Sequence, residues 1–121
     1  MITPKIYNFA DRTLAFAQET RKLIRLLPRI TPIIEDVRQL TRSSGSIGAN
    51  YLEACEALSK KDFIKHLKIA RKEARETIYW FKLLDLPETT LTSKRDALLT
   101  ETQELLNILS SIIAKSEKDN K

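Results

Sequence analysis

The chain has 121 residues, 42% hydrophobic and 31% charged, with two glycines, four prolines and a net charge of +5. That length supports one domain with its own core; the charge-to-hydrophobic balance excludes a disordered chain, and the shortage of turn residues excludes a many-stranded β fold. The lone Cys55 excludes an internal disulfide, no apolar run nears the roughly 20 residues that span a bilayer, and MITPKIYNFADR lacks a signal-peptide core, so a cytoplasmic location in a bacterial or archaeal cell is expected.

The first segment, about 7–27, places Phe9, Phe16, Leu23 and Leu27 on one stripe. Ala10, Leu14, Ala17 and Ile24 widen it. Spacings of three and four predict an amphipathic helix. Pro28 ends it, because proline disfavours helical geometry in the residue before it.

The second segment, about 32–58, takes Thr31 as N-cap and Pro32 as first helical residue. Glu35 and Asp36 fall in the first turn, where acids suit the helix dipole. Its heptad runs Ile33, Val37, Leu40, Ser44, Ile47, Tyr51, Ala54 and Leu58. The phase passes through SSGSIGAN without a slip, whereas a loop there would have no reason to keep it. One continuous helix of roughly 40 Å follows. Each internal glycine costs about 1 kcal/mol against alanine, so close tertiary contact must offset it. A second stripe, Thr41, Gly45, Gly48, Leu52 and Cys55, exceeds what one bundle needs and suggests self-association.

The third segment, about 60–85, starts after Ser59, an N-cap with Asp62 three residues on. Phe63, Leu67, Ala70, Ala74, Ile78, Phe81 and Leu84 form its apolar row. The short link makes the second and third helices antiparallel neighbours, with facing residue numbers totalling about 119. That register sets Gly45 and Gly48 opposite Ala74 and Ala70. It also brings Arg42 to Glu76 or Glu73.

The fourth segment, about 92–115, has the stripe Leu91, Leu98, Thr102, Leu105, Leu109 and Ile112, and the polar tail 116–121 is expected to fray. The expected class is all-α: an up-down-up-down antiparallel four-helix bundle formed by a single domain, 1–121.

Little here carries catalytic chemistry. Gly45-Ser46-Ile47-Gly48 lacks the spacing and lysine of a phosphate loop. His66, the only histidine, has Phe63 where a di-metal bundle needs glutamate. Cys55, near Glu53 and Glu56, reads as a buried inert thiol, and Tyr79 and Trp80 as core or interface aromatics, with base stacking the alternative. Glu53/Glu56 and Glu73/Glu76 read as partners in hydrogen bonds between helices. No catalytic residue, cofactor or metal is expected, and the chain reads as non-enzymatic.

One charge pattern stands out. Residues 1–85 hold 16 of the 21 basic and 10 of the 16 acidic residues; residues 86–121 hold five and six. Within the basic part, Lys61, Lys65, Lys68, Lys72 and Arg75 recur at steps of four and three, flanked by Lys60, Arg71 and Lys82. Solvated faces usually interleave signs, whereas this row keeps one sign over about 21 Å, enough to follow several phosphates. A plain solvated face and a membrane-surface helix are the alternatives. The second needs an apolar face that the core already uses.

The stretch RQLTRSSGSIGANYLEACEALSKKDFIKHLKIARKEARETIYWFKLL resembles the small four-helix-bundle proteins encoded in intervening sequences of bacterial 23S ribosomal RNA genes. The likeness rests on Gln39-Leu40, Arg42-Ser43, Ser46-Ile47, Ala49-Asn50, Glu53-Ala54, Ser59, Asp62-Phe63, Leu67, Ala70, Glu73, Glu76 and Tyr79-Trp80, in that order. It covers about 45 residues strongly and 9–28 loosely. The resemblance implies a bundle with SxxSIxAN inside the second helix, no catalytic residues, and a homopentamer. A related group, the accessory proteins of diversity-generating retroelements, forms basic pentameric barrels that work with a reverse transcriptase and nucleic acid. The combined expectation is an oligomer that contacts structured RNA through Lys60, Lys61, Lys65, Lys68, Arg71, Lys72 and Arg75, with no membrane partner; a protein-interaction scaffold is the alternative.

Overall fold

A computed structural model describes residues 8–119. Tyr7, an expected helix start, and the last two residues of the polar tail lie outside the described residues. The chain forms α1 (Phe9–Arg25), α2 (Thr31–Cys55), α3 (Lys60–Leu83) and α4 (Thr89–Asp119). Each helix packs on its neighbours in a closed ring, α1 on α2, α2 on α3, α3 on α4 and α4 on α1. Short links reverse the direction each time, which gives the up-down-up-down four-helix bundle. Across the diagonal, the Phe16 and Phe81 rings meet edge to face at 6.3 Å. Phe16, Leu40, Ile47, Leu67, Phe81, Leu105 and Leu109 form a fully buried centre around them.

The helix ends refine the sequence reading. The Asn8 side chain caps α1, accepting from the Ala10 amide at 2.8 Å. On α2 the N-cap is Ile30 rather than Thr31, with no side-chain cap. Its carbonyl already accepts from the Ile34 amide. The helix therefore begins one residue early, and Glu35 and Asp36 fall outside its first turn. It stops at Cys55, a turn before Leu58, which is 99% exposed. Ser59 caps α3 as expected, accepting from the Asp62 amide at 3.1 Å. The start of α4 comes at Thr89, inside the expected loop, and the helix continues through residues 116–119, where fraying was expected.

Helix α2 runs unbroken through SSGSIGAN. Its small residues, however, serve two crossings rather than one. Ser43 and Ser44 are fully buried, and the Ser43 and Thr77 hydroxyls hydrogen-bond across to α3 at 2.9 Å. The glycines turn the other way. A Cβ on Gly48 would meet Thr13 Oγ1 at 2.7 Å, and one on Gly45 would lie 3.4 Å from the Arg21 guanidinium. The glycines thus face α1, not Ala70 and Ala74. The α2–α3 register itself is as expected: Arg42 reaches Glu73 at 3.1 Å and Glu76 at 2.8 Å.

Four buried threonines belong to the core, of which only Thr102 stands in an expected apolar stripe. Thr13, Thr20, Thr77 and Thr102 are at most 2% exposed. Each hydroxyl donates to a carbonyl three or four residues earlier in its own helix. The polar atom is thereby satisfied and the methyl is left for packing.

A candidate nucleic-acid interface on α3

On α3, burial of Leu67, Ala70, Ala74 and Phe81 fixes which side faces the core. At 100° per residue, Lys61, Lys65, Lys68, Lys72 and Arg75 fall on the side opposite Ala70 and Ala74, and all five are exposed. The row follows directly from the apolar periodicity, because both share one helical phase. Lys60 and Lys82 are exposed beside it. Ile64 and Ile69 are partly covered and line a shallow depression with Lys61, Lys65, Lys68 and Lys72. Lysine stems lie well on such apolar ground while their ammonium groups stay in water.

Arg71 departs from the row. It is half-buried, and its Nε, like His66 Nδ1 and Trp80 Nε1, is buried without a hydrogen-bond partner. One acid reaches the row from outside α3: Glu117 of α4 pairs with Lys68 at 3.0 Å. Among the described residues, no carboxylate lies within ion-pair distance of Lys61, Lys65, Lys72 or Arg75. Four cations in line therefore lack a counter-ion among the described residues.

Two aromatics extend the picture. Tyr79 stands four residues after Arg75, in the phase of the row, and is 58% exposed. Of the two readings the sequence offered, core or interface aromatic, its exposure excludes the core. Trp80 is half-buried and meets Tyr79 edge to face at 5.0 Å. The step of four from Arg75 was the available signal for Tyr79. The Glu117 contact had none, since it depends on where α4 lies.

Among the described residues outside the row, titration is perturbed at Arg12, Glu19 and Tyr51. The Glu101 hydrogen bond, opposed by burial, pushes the Arg12 guanidinium above its ordinary range. The Lys22 hydrogen bond lowers Glu19. Burial, then the Cys55 thiol, pushes Tyr51 up. Cys55 itself is exposed rather than buried, because it lies on the outward side of α2 one turn after the exposed Leu52. The cleft between α1 and α4 mixes Glu19 and Glu101 with Lys22 and Lys94. Among the described residues no group of His, Cys, Asp and Glu is placed to hold a metal, and no helix is long and apolar enough to cross a membrane.

The chain is similar to a solved structure from Bacteroides thetaiotaomicron VPI-5482, described as a protein of unknown function from the S23 ribosomal protein family. The two are 37% identical, with a TM-score of 0.78 over 88% of this chain and 98% of that one. No curated protein matches. Residues 7–111 match the family described as 23S rRNA-intervening sequence protein. The match takes in all of α1, α2 and α3 and most of α4, so the chain belongs to the 23S rRNA-intervening sequence protein family.

Proposed function

We propose that this protein is a non-enzymatic, homo-oligomeric nucleic-acid-binding bundle that contacts structured RNA through the outward face of α3. The observation that carries the reading is the row Lys61, Lys65, Lys72 and Arg75, exposed and without carboxylate partners among the described residues. Lys60 and Lys68 extend it, and Arg71 lies at its edge. Ammonium groups in line displace the counterions condensed on a phosphate backbone, which favours binding entropically and makes it salt-dependent. Contacts of this kind position a nucleic acid without reading its sequence.

The test is affinity against salt for RNA hairpins and for single strands. Log K should fall linearly with log salt, by roughly 0.7 per phosphate contacted on single strands and 0.9 on duplex. Changing Lys61, Lys65 and Lys72 together to Gln should flatten that slope by about two to three units. It leaves the Lys68–Glu117 pair in place, so the bundle keeps its α3–α4 ties. An unaltered slope in that variant assigns the row to ordinary solvation. Failure of the unmodified protein to bind RNA at low salt favours a scaffold that meets an acidic protein, such as a polymerase partner.

A further inference from the structure

The cationic row does not stop at Arg75. Its next position in phase is Tyr79, about 6 Å further along the helix axis, and the next cation is Lys82, three residues beyond. Tyr79 is 58% exposed and Lys82 is exposed. The phenol ring therefore stands on the surface between two cations rather than in the core. Among the described residues, its ring packs edge to face against Trp80. The two ring planes stand at 81° to one another, with centroids 5.0 Å apart. Leu83, beside it, is 47% exposed and adds apolar surface at the same end.

From this juxtaposition, we infer that Tyr79 is a base-stacking platform at the end of the phosphate track, so that the preferred ligand presents unpaired bases there. This rests on the nucleic-acid reading of the row and narrows it. In a duplex the base faces are stacked on one another and unavailable, whereas a single strand or loop can lay one base on a flat aromatic surface. Arg75 and Lys82, on either side of the ring, would hold the flanking phosphates. Such stacking tolerates any base, because every base has a π face. The expected specificity is thus for strandedness rather than sequence.

The experiment compares three probes: a single-stranded homopolymer oligonucleotide, a blunt duplex, and inorganic polyphosphate of similar charge. Each is titrated against the unmodified protein, Tyr79→Ala and Tyr79→Phe, with circular dichroism to check that the exposed substitution leaves the helices intact. Tyr79→Ala should weaken the single strand by about five- to 150-fold, the range for loss of one stacked base. Tyr79→Phe should bind as the unmodified protein does, and polyphosphate and duplex should be indifferent to both changes. Two results overturn the stacking role while leaving the phosphate track standing: unchanged single-strand affinity in Tyr79→Ala, or an equal loss on polyphosphate. If the unmodified protein binds none of the three probes at low salt, the nucleic-acid reading falls and the stacking role falls with it.

Discussion

Gly45 and Gly48 are three residues apart on one helix, yet a methyl group means opposite things at the two positions. At Gly48 the added carbon meets Thr13 Oγ1 at 2.7 Å and Thr13 Cβ at 3.1 Å. Thr13 is 2% exposed and its hydroxyl is engaged with the Ala10 carbonyl, so it has little room to retreat. At Gly45 the neighbours are the terminal nitrogens of Arg21, at 3.4 and 3.9 Å, the end of a long side chain that can move aside. Alanine gains about 1 kcal/mol over glycine inside a helix, and overpacking costs about 1–3. Gly45→Ala should therefore stabilise by up to about 1 kcal/mol, while Gly48→Ala should destabilise in spite of its better propensity, and Gly48→Leu by several kcal/mol more. Urea unfolding of the three variants checks this. A Thr13→Ala background should soften the Gly48→Ala loss, since it removes the atom in the way. Equal signs at the two glycines would mean that α1 does not approach α2 as described.

The α2–α3 hairpin is held by a polar contact that has to be complete to be useful. Glu73 is buried, with 10% side-chain exposure, and its cation is Arg42, which also reaches the more open Glu76. Removing Arg42 leaves a carboxylate with little water and no counter-charge. Arg42→Ala should accordingly cost about 1–3 kcal/mol, Glu76→Ala less than about 1, and Glu73→Gln added to Arg42→Ala should recover part of the loss. Chemical denaturation of the single and double variants measures the coupling, and additive losses would remove Glu73 as the reason. This pairing was legible in the sequence because two antiparallel helices with a short link have only one register to adopt, and the unbroken heptad of α2 supplied its phase. What the sequence did not carry depends on a third element. The turn of the glycines toward α1 needs the position of α1. The link between α3 and α4 is held by Arg95, whose Nη1 donates to the Phe81 and Leu84 carbonyls at 3.0 Å each. It satisfies acceptors that the end of α3 leaves open, from a residue on the next helix. Thr102 was placed by the leucines of its stripe, but Thr13, Thr20 and Thr77 were invisible for a different reason: an apolar pattern scores a hydroxyl as polar, although the helix's own carbonyls neutralise it. In the row on α3, the phase was legible, and the Glu117 contact was not.

At the scale of the whole molecule, one face is left over after the bundle is closed. Leu14 is 57% exposed and Leu52 is 54% exposed. Leu14 adjoins Thr13 and Leu52 lies one turn from Gly48, so both flank the crossing where α1 and α2 come closest. Ile34, 42% exposed, shares the phase of Leu52 on α2, and Cys55 continues that surface to the helix end. The bundle's core uses none of these side chains, and exposed apolar residues gathered on one side of two neighbouring helices are a common mark of an interface. The proposed homo-oligomer places it against other copies. The expected number, five, comes from the family resemblance, and an odd closed ring requires a head-to-tail contact in which this face meets a different one. The expected scattering mass is then about 70 kDa, five times the 13.9 kDa chain. Leu52→Asp would bury a charge in that contact and should release the 13.9 kDa chain. Its helicity should stay unchanged, because Leu52 is 54% exposed and stands outside the buried core. Cys55 reports on the same event: its thiol should react slowly with a disulfide reagent in the assembled protein and faster in Leu52→Asp. A mass of 13.9 kDa for the unmodified protein at micromolar concentration would refute assembly outright. A larger mass that Leu52→Asp leaves intact would move the interface to another face of the bundle.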